Sequence, residues 1–288
     1  MMLVYVSPLP LFLVGLSRGF TGALVASATA VVAVLIGANT LVAALFLLLA
    51  VGPVLIVTRQ GLLTRPGAAP GAVEWYPPGL LLGWLTAYGL LILAGALIWF
   101  AGRPGGLEGV LLAQLEVVFD RIVGQPLLPG QREALGMFAR ILPGMMVCVW
   151  LLFDVACAVL AQALLTRYGH ARRPTPAFGA LDLPRWMAPA GAMALMLAFL
   201  PGQFRTVGVS TAFILATPFF LLGLSVVHMA LERLNARGAL RALVYVLVVI
   251  IVLRLIWPAI FLVILGIIEQ WVQLRRRLAP PSAAREDE

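Results

Sequence analysis

The chain has 288 residues, of which 62% are hydrophobic and 11% charged, and its mean hydropathy is +1.04. A soluble domain is about 45–50% apolar and about 25% charged, so this surplus of apolar surface cannot be hidden in one water-bathed core, and the composition points to a bilayer as solvent. The formal charge is +8, and every basic side chain is arginine because the sequence contains no lysine; in a membrane protein such arginines mark cytoplasmic loops, and nucleic acid is not the expected partner. Long continuous apolar runs without period-two alternation argue against a β-barrel. The abundance of alanine, glycine, leucine and arginine fits a GC-rich bacterial genome.

Along the chain, residues 3–17 are apolar but broken by Pro8 and Pro10. They are too short to span, since a span takes about 20 residues, and read as a half-helix or a re-entrant entry. Arg18 follows this stretch instead of preceding it, unlike a signal peptide, so the segment is expected to be retained. Spans are predicted over Gly19–Ile36, with Asn39 and Thr40 as punctuation, then over Leu41–Val57 and Gly79–Phe100. Residues 59–78, rich in Gly and Pro, read as a loop whose exit carries Trp75 and Tyr76, where an interfacial aromatic belt would place them.

Residues 103–140 differ in pattern. Leu111, Leu115, Val118, Phe119 and Ile122 share one face of a helix, with Gln114, Glu116, Asp120 and Arg121 towards the other. Such a helix lies on the membrane surface or packs on the protein's own loops. Ile141–Leu165 is the next span, followed by the basic loop 167–185, a short span over Trp186–Leu200 and a full one over Val207–Leu231. Residues 242–272 are apolar apart from Arg254, Glu269 and Gln270; unbroken, they would make about 46 Å of helix, longer than a hydrocarbon core of about 30 Å. Pro258 offers a break into helices 241–255 and 258–273.

Loops 59–65, 167–185 and 233–241 hold two, four and three arginines and are mutually consistent as cytoplasmic. Arg275, Arg276 and Arg277 are expected on that side too. The expected architecture is all-α: a polytopic transmembrane helical bundle of about eight crossings, with one amphipathic interfacial helix. Residues 1–277 form a single integral membrane domain, and 278–288 a disordered cytoplasmic tail.

Asp154 is the first candidate for chemistry. It lies near the middle of its span, and an intramembrane carboxylate is by default a functional-site hypothesis. It is expected to be neutral or paired, and Arg254, deep in the last apolar stretch, is the natural partner. The pair is either a tether between helices or part of a substrate or proton site, the neighbouring Trp150 joining Asp154, Arg254 and Arg18 as substrate-binding candidates. Arg18 stands in GLSRGFTG, where backbone N–H groups could wrap an anion. Gly22, Ala26 and Ala30 recur at four-residue spacing, as do Gly19, Ala23 and Ser27, which permits close helix approach within the fold or docking of another subunit. His228 and Glu232 lie one turn apart beside Arg233, as an interfacial charge cluster or a proton relay. Cys148 and Cys157, about 13 Å apart along one helix, are too distant for a disulfide. No metal-ligand spacing, phosphate loop or nucleophile elbow occurs; no catalytic residue, cofactor or metal is expected.

FGALDLPRW (178–186), FFLLGLSVVH (219–228) and GIIEQWVQLRRR (266–277), with the N-terminal SPLPLFLVGL, resemble the YybS-like family of uncharacterised bacterial inner-membrane proteins. That family is grouped distantly with the S components of energy-coupling-factor transporters. The resemblance implies a small-molecule-binding helical bundle that docks on an energising transport module, with Gly22, Ala26 and Ala30 at the positions of the docking helix. The leading expectation is small-molecule binding or transport; the alternative is a membrane scaffold or envelope assembly factor.

Overall fold

The computed structural model describes residues 6–67, 71–124, 128–233 and 257–273. Short α1 (Pro8–Arg18) meets α2 (Phe20–Gly37) at Gly19, whose φ of 90° is open to glycine and strained for other residues. Phe12 is fully buried, and α1 packs on α6 as well as α2. Within the 3–17 stretch, the described residues thus form a largely buried half-helix of about 16 Å, Pro8–Arg18. Asn39 ends the next turn by accepting a hydrogen bond from the Val42 N–H at 3.0 Å, the capping chemistry of an asparagine before a helix. Helix α3 (Thr40–Gly61) follows.

The stretch expected to be a plain loop after α3 holds a small antiparallel hairpin, β1 (Thr64–Pro66) against β2 (Val73–Trp75), with Arg65 opposite Glu74. Arg65 Nε lies 2.8 Å from Glu74 Oε2, an exposed pair of the kind that solvent and salt screen and that contributes little to stability. Helix α4 runs Pro78–Phe100, α5 Gly106–Val123, α6 Pro129–Arg167, α7 Met187–Ala198, α8 Gln203–Arg233 and α9 Trp257–Val272. Five helices, α2, α3, α4, α6 and α8, are long and apolar enough to cross a membrane among the described residues. Of the helices drawn on either side of Pro258, the second is seen as α9; the first, with Arg254, and the tail lie outside the described residues.

Helix α6 corrects the expected boundary at Ile141. It begins twelve residues earlier and has 39 residues, about 58 Å. Pro143 sits inside it without ending it, as is tolerated where neighbouring helices surround the backbone. Its start pairs with α5: Arg132 Nε is 2.8 Å from Glu116 Oε1, and Arg140 Nη2 is 2.9 Å from Glu108 Oε1. Helix α5 therefore packs on the first turns of α6, with Leu111, Leu115 and Phe119 half-buried and Val118 and Ile122 exposed.

The arginine-rich end is built differently. Arg173 is buried and donates to the carbonyls of Gly61 at 3.0 Å and Tyr76 at 2.8 Å, while Gln162 Nε2 donates to the Arg173 carbonyl at 2.7 Å. Burial pulls the Arg173 guanidinium below its ordinary range. Arg172 Nε donates to the Ser17 carbonyl at 2.9 Å. These cations meet the C-terminal ends of α3 and α1, where helix carbonyls lack donors and the dipole is negative.

Between the ends, close crossings rest on small residues. An added Cβ at Gly144 would collide with the Ser210 backbone, and Gly223 and Gly266 each face the other's backbone across α8 and α9. This is the small-residue contact that lets membrane helices approach. Gly223→Leu or Gly266→Leu is expected to cost about 1–3 kcal/mol by overpacking. Gly95→Ala, whose Cβ meets nothing within 4 Å, should leave stability unchanged. Thermal unfolding in detergent checks the contrast.

Candidate functional site

A backbone irregularity in α3 organises the middle of the bundle. Pro53 has no N–H, so the Leu49 carbonyl four residues earlier loses its helical donor. The Gly52 N–H bonds to the Leu47 carbonyl, five residues back, within a π-helical segment over Leu47–Val51, and so is withdrawn from Leu48. A freed carbonyl at hydrocarbon depth is costly unless the protein supplies a donor. Here it does so twice. The Tyr88 hydroxyl of α4 donates to Leu48 O at 2.8 Å, and Trp150 Nε1 of α6 donates to Leu49 O at 2.8 Å. The two rings lie 6.1 Å apart. A Cβ on Gly52 would collide with the Tyr88 hydroxyl, so the glycine makes room for the bond.

Asp154 stands one helical turn beyond Trp150. It is 2% exposed, and neither carboxyl oxygen has a hydrogen-bond partner among the described residues. Leu151, Cys157 and Ala161, at i−3, i+3 and i+7, belong to the apolar core that also holds Phe12, Val54 and Leu85. Trp150, one turn before Asp154, ties this part of α6 to the π segment through its bond to Leu49 O. Its expected partner Arg254 lies outside the described residues. Trp150, a substrate-binding candidate from sequence, is engaged as a donor to backbone. Arg18 is exposed at the end of α1, away from that core.

Ala26 and Ala30 are half-buried and pack against the same core, so the Gly22, Ala26 and Ala30 stripe runs along the inner edge of α2. In the other register Gly19, Ala23 and Ser27 are fully buried. The uncovered side of α2 is aliphatic instead, with Val25 68% and Ile36 81% exposed. Cys148 and Cys157 are free thiols, and the Thr217 hydroxyl donates to Cys148 Sγ at 3.0 Å. No group of three or more metal-ligating side chains occurs among the described residues.

The three C-terminal sequence motifs converge. His228 pairs with Glu232 at 3.2 Å, and the Phe178 ring meets His228 edge-on, centroids 5.6 Å apart. Gln270 Nε2 donates to the Pro184 carbonyl at 3.4 Å, Glu269 beside it is buried, and Gly223 touches Gly266. Segments 178–186, 219–228 and 266–270 thus form one contact cluster.

Sequence reasoning missed Tyr88, Gly52 and Pro53. The signal was a proline inside an apolar run, which announces a freed carbonyl. It also missed Glu108 as a junction: besides Arg140, the Thr206 hydroxyl of α8 donates to it, beside a small cavity of about 60 Å³.

A helical bundle with several membrane-spanning helices, and a carboxyl sealed at the level of a side-chain-capped π segment, defines a multi-pass integral membrane protein. The family described as "Predicted membrane protein (DUF2232)" matches residues 1–269, and the chain belongs to it. No curated protein and no solved structure matches the chain.

Two tests follow from this geometry. Tyr88→Phe leaves Leu48 O without its donor and is expected to cost about 1–3 kcal/mol. Gly52→Ala should lower the unfolding midpoint likewise, by displacing the same hydroxyl. At the α5–α6–α8 junction, burial opposes ionisation of Glu108, but hydrogen bonds from Arg140 and Thr206 and the charges of Arg140 and Arg205 outweigh it, holding the carboxyl below its ordinary 4.5. The ionised form therefore stabilises the fold fully above that ordinary value, and the contribution is lost as pH falls through the lower folded value. Unfolding midpoints measured from neutral to acid pH should fall in the wild type and flatten on the acid side in Glu108→Gln.

Proposed function

We propose that the protein is a membrane-embedded module that binds or translocates a small molecule, with an S-component-like helical core and Asp154 as the ionisable group of its site. One observation carries this: a fully buried carboxyl whose two oxygens have no partner among the described residues. A charge at bilayer depth costs roughly 2.5–3.5 kcal/mol on insertion scales, and no described side chain offsets it. A ligand with a cationic or hydrogen-bond-donating group would. Arg254 would supply the second charge of that site. The reading assigns no catalytic role, cofactor or resident metal.

The kinship with YybS-like proteins, and through them with S components, is supported by the convergence of the three motif segments. On this reading the arginine-rich end faces the cytoplasm of a bacterium, across the inner membrane. The chain crosses about eight times, the tail ends inside, and α5 rests at the outer interface with Val118 and Ile122 in the headgroup region. An energising transport module would dock on α2. The scaffold or assembly-factor reading draws on a different observation: Leu151, Cys157 and Ala161 fill the space along the Asp154 face.

Native mass spectrometry of the gently solubilised protein, wild type beside Asp154→Asn, separates the two. A small molecule carried by the wild type and lost in the variant is the expected result. Bare protein in both forms, with equal stability, would sink Asp154 as a site and favour the scaffold.

A further inference from the structure

A second feature is independent of Asp154. Between α3 and α4, beside the start of α2, runs an open groove of about 410 Å³, within the range of small-molecule sites, roughly 300–1,000 Å³. Its wall on α4 is a single helical face, Trp84, Ala87, Tyr88 and Leu91, at i, i+3, i+4 and i+7. This face leads inward from the arginine-rich end over about 10 Å. Leu55 and Ile56 of α3 line the opposite wall, and Arg59 and Gln60 close the top. The groove therefore passes from cation and amide, through aromatic side chains, to aliphatic floor. That is the order of polarity along a lipid from headgroup to acyl chain.

The cations at this end are not equivalent. Arg172 and Arg173 are committed to the carbonyls of Ser17, Gly61 and Tyr76, and Arg65 to Glu74. Arg59 and Arg18 are exposed, and neither has a carboxylate partner among the described residues. The Arg59 guanidinium carbon lies 5.9 Å from the centroid of the Phe20 ring, which holds it over the groove. Arg18, at the end of α1, lies two residues before Phe20 in the chain. Trp84, 48% exposed, is fixed by donating to the Tyr76 hydroxyl at 3.0 Å, an interfacial pairing of two amphipathic rings.

We propose that this groove is a binding site for one anionic phospholipid, its phosphate held by Arg59 and Arg18 and one acyl chain laid along Leu55, Ile56, Ala87 and Leu91. The full-length protein is reconstituted in nanodiscs of equal parts phosphatidylglycerol and phosphatidylcholine, then released for native mass spectrometry. The expected result is one retained phosphatidylglycerol. Retention should fall about five-fold in Arg59→Gln, from the roughly 1 kcal/mol a basic residue gains at an anionic surface. It should persist in Arg59→Lys and be lost in Ala87→Trp, which fills the groove. Asp154→Asn should retain the lipid unchanged, so the fate of this site is read separately from that of the buried carboxyl. Matching unfolding midpoints in detergent free of anionic lipid show that the variants are folded. Equal retention of the two lipids by the wild type, or wild-type retention in Arg59→Gln, overturns the proposal. So does displacement by glycerol phosphate, which would make the site one for a soluble anion.

Discussion

No water reaches a backbone carbonyl inside a bilayer, so any carbonyl a helix leaves unbonded must be met by the protein itself. This constraint and its counterpart at helix ends account for several of the side-chain hydrogen bonds that link distant parts of the chain. Tyr88 and Trp150 meet the carbonyls that Pro53 and the π segment release. Arg172 and Arg173 meet those at the ends of α1 and α3. In each case the donor comes from another element, so satisfying the backbone also fixes tertiary packing. The half-helix α1, too short to span, is held in this way at its C-terminal end and by burial of Phe12 along its length.

Against that background Asp154 stands apart. The fold finds donors for carbonyls 40 and 101 residues away in sequence from the groups that cap them, yet leaves a full carboxyl without one among the described residues. At the two ends of the bundle charges are managed: Glu108 is met from α6 and α8, and the buried guanidinium of Arg173 by two backbone carbonyls. The contrast between satisfied ends and an unsatisfied middle makes the middle the place to look for a ligand. The small-residue crossings at Gly144 and at Gly223 with Gly266 hold the surrounding helices at close range, so that place is framed by rigid elements.

The spans were largely legible because their signal is local. Gly19–Ile36 and Gly79–Phe100 fall within one residue of α2 and α4 at either end, set by apolar length and by the flanking Gly, Asn and Pro. Asn39 announced its cap. The hairpin at 64–75 was not legible, since three-residue strands carry no period. The start of α6 was missed because Gln131, Arg132 and Glu133 with Pro143 look like a loop before a span. They belong instead to the first turns of a 39-residue helix that pairs with α5. At the site, Asp154 could be singled out from its position in an apolar run, and it is buried. Its lack of a partner could not, because that depends on what α1, α3 and α4 bring to the same place. The stripe Gly22, Ala26 and Ala30 was visible, but which side of α2 it faces is decided by Gly19.

The continuity of α6 gives the bundle a lever. Arg140, paired with Glu108, and Asp154, buried among apolar side chains, ride on one helical rod about 21 Å apart, with Pro143 between them. Because the backbone of α6 is continuous, any displacement of its paired first turns is a displacement of the helix that carries Trp150 and Asp154. Whatever shifts the α5–α6 pair and whatever contacts the carboxyl would act on the same shaft.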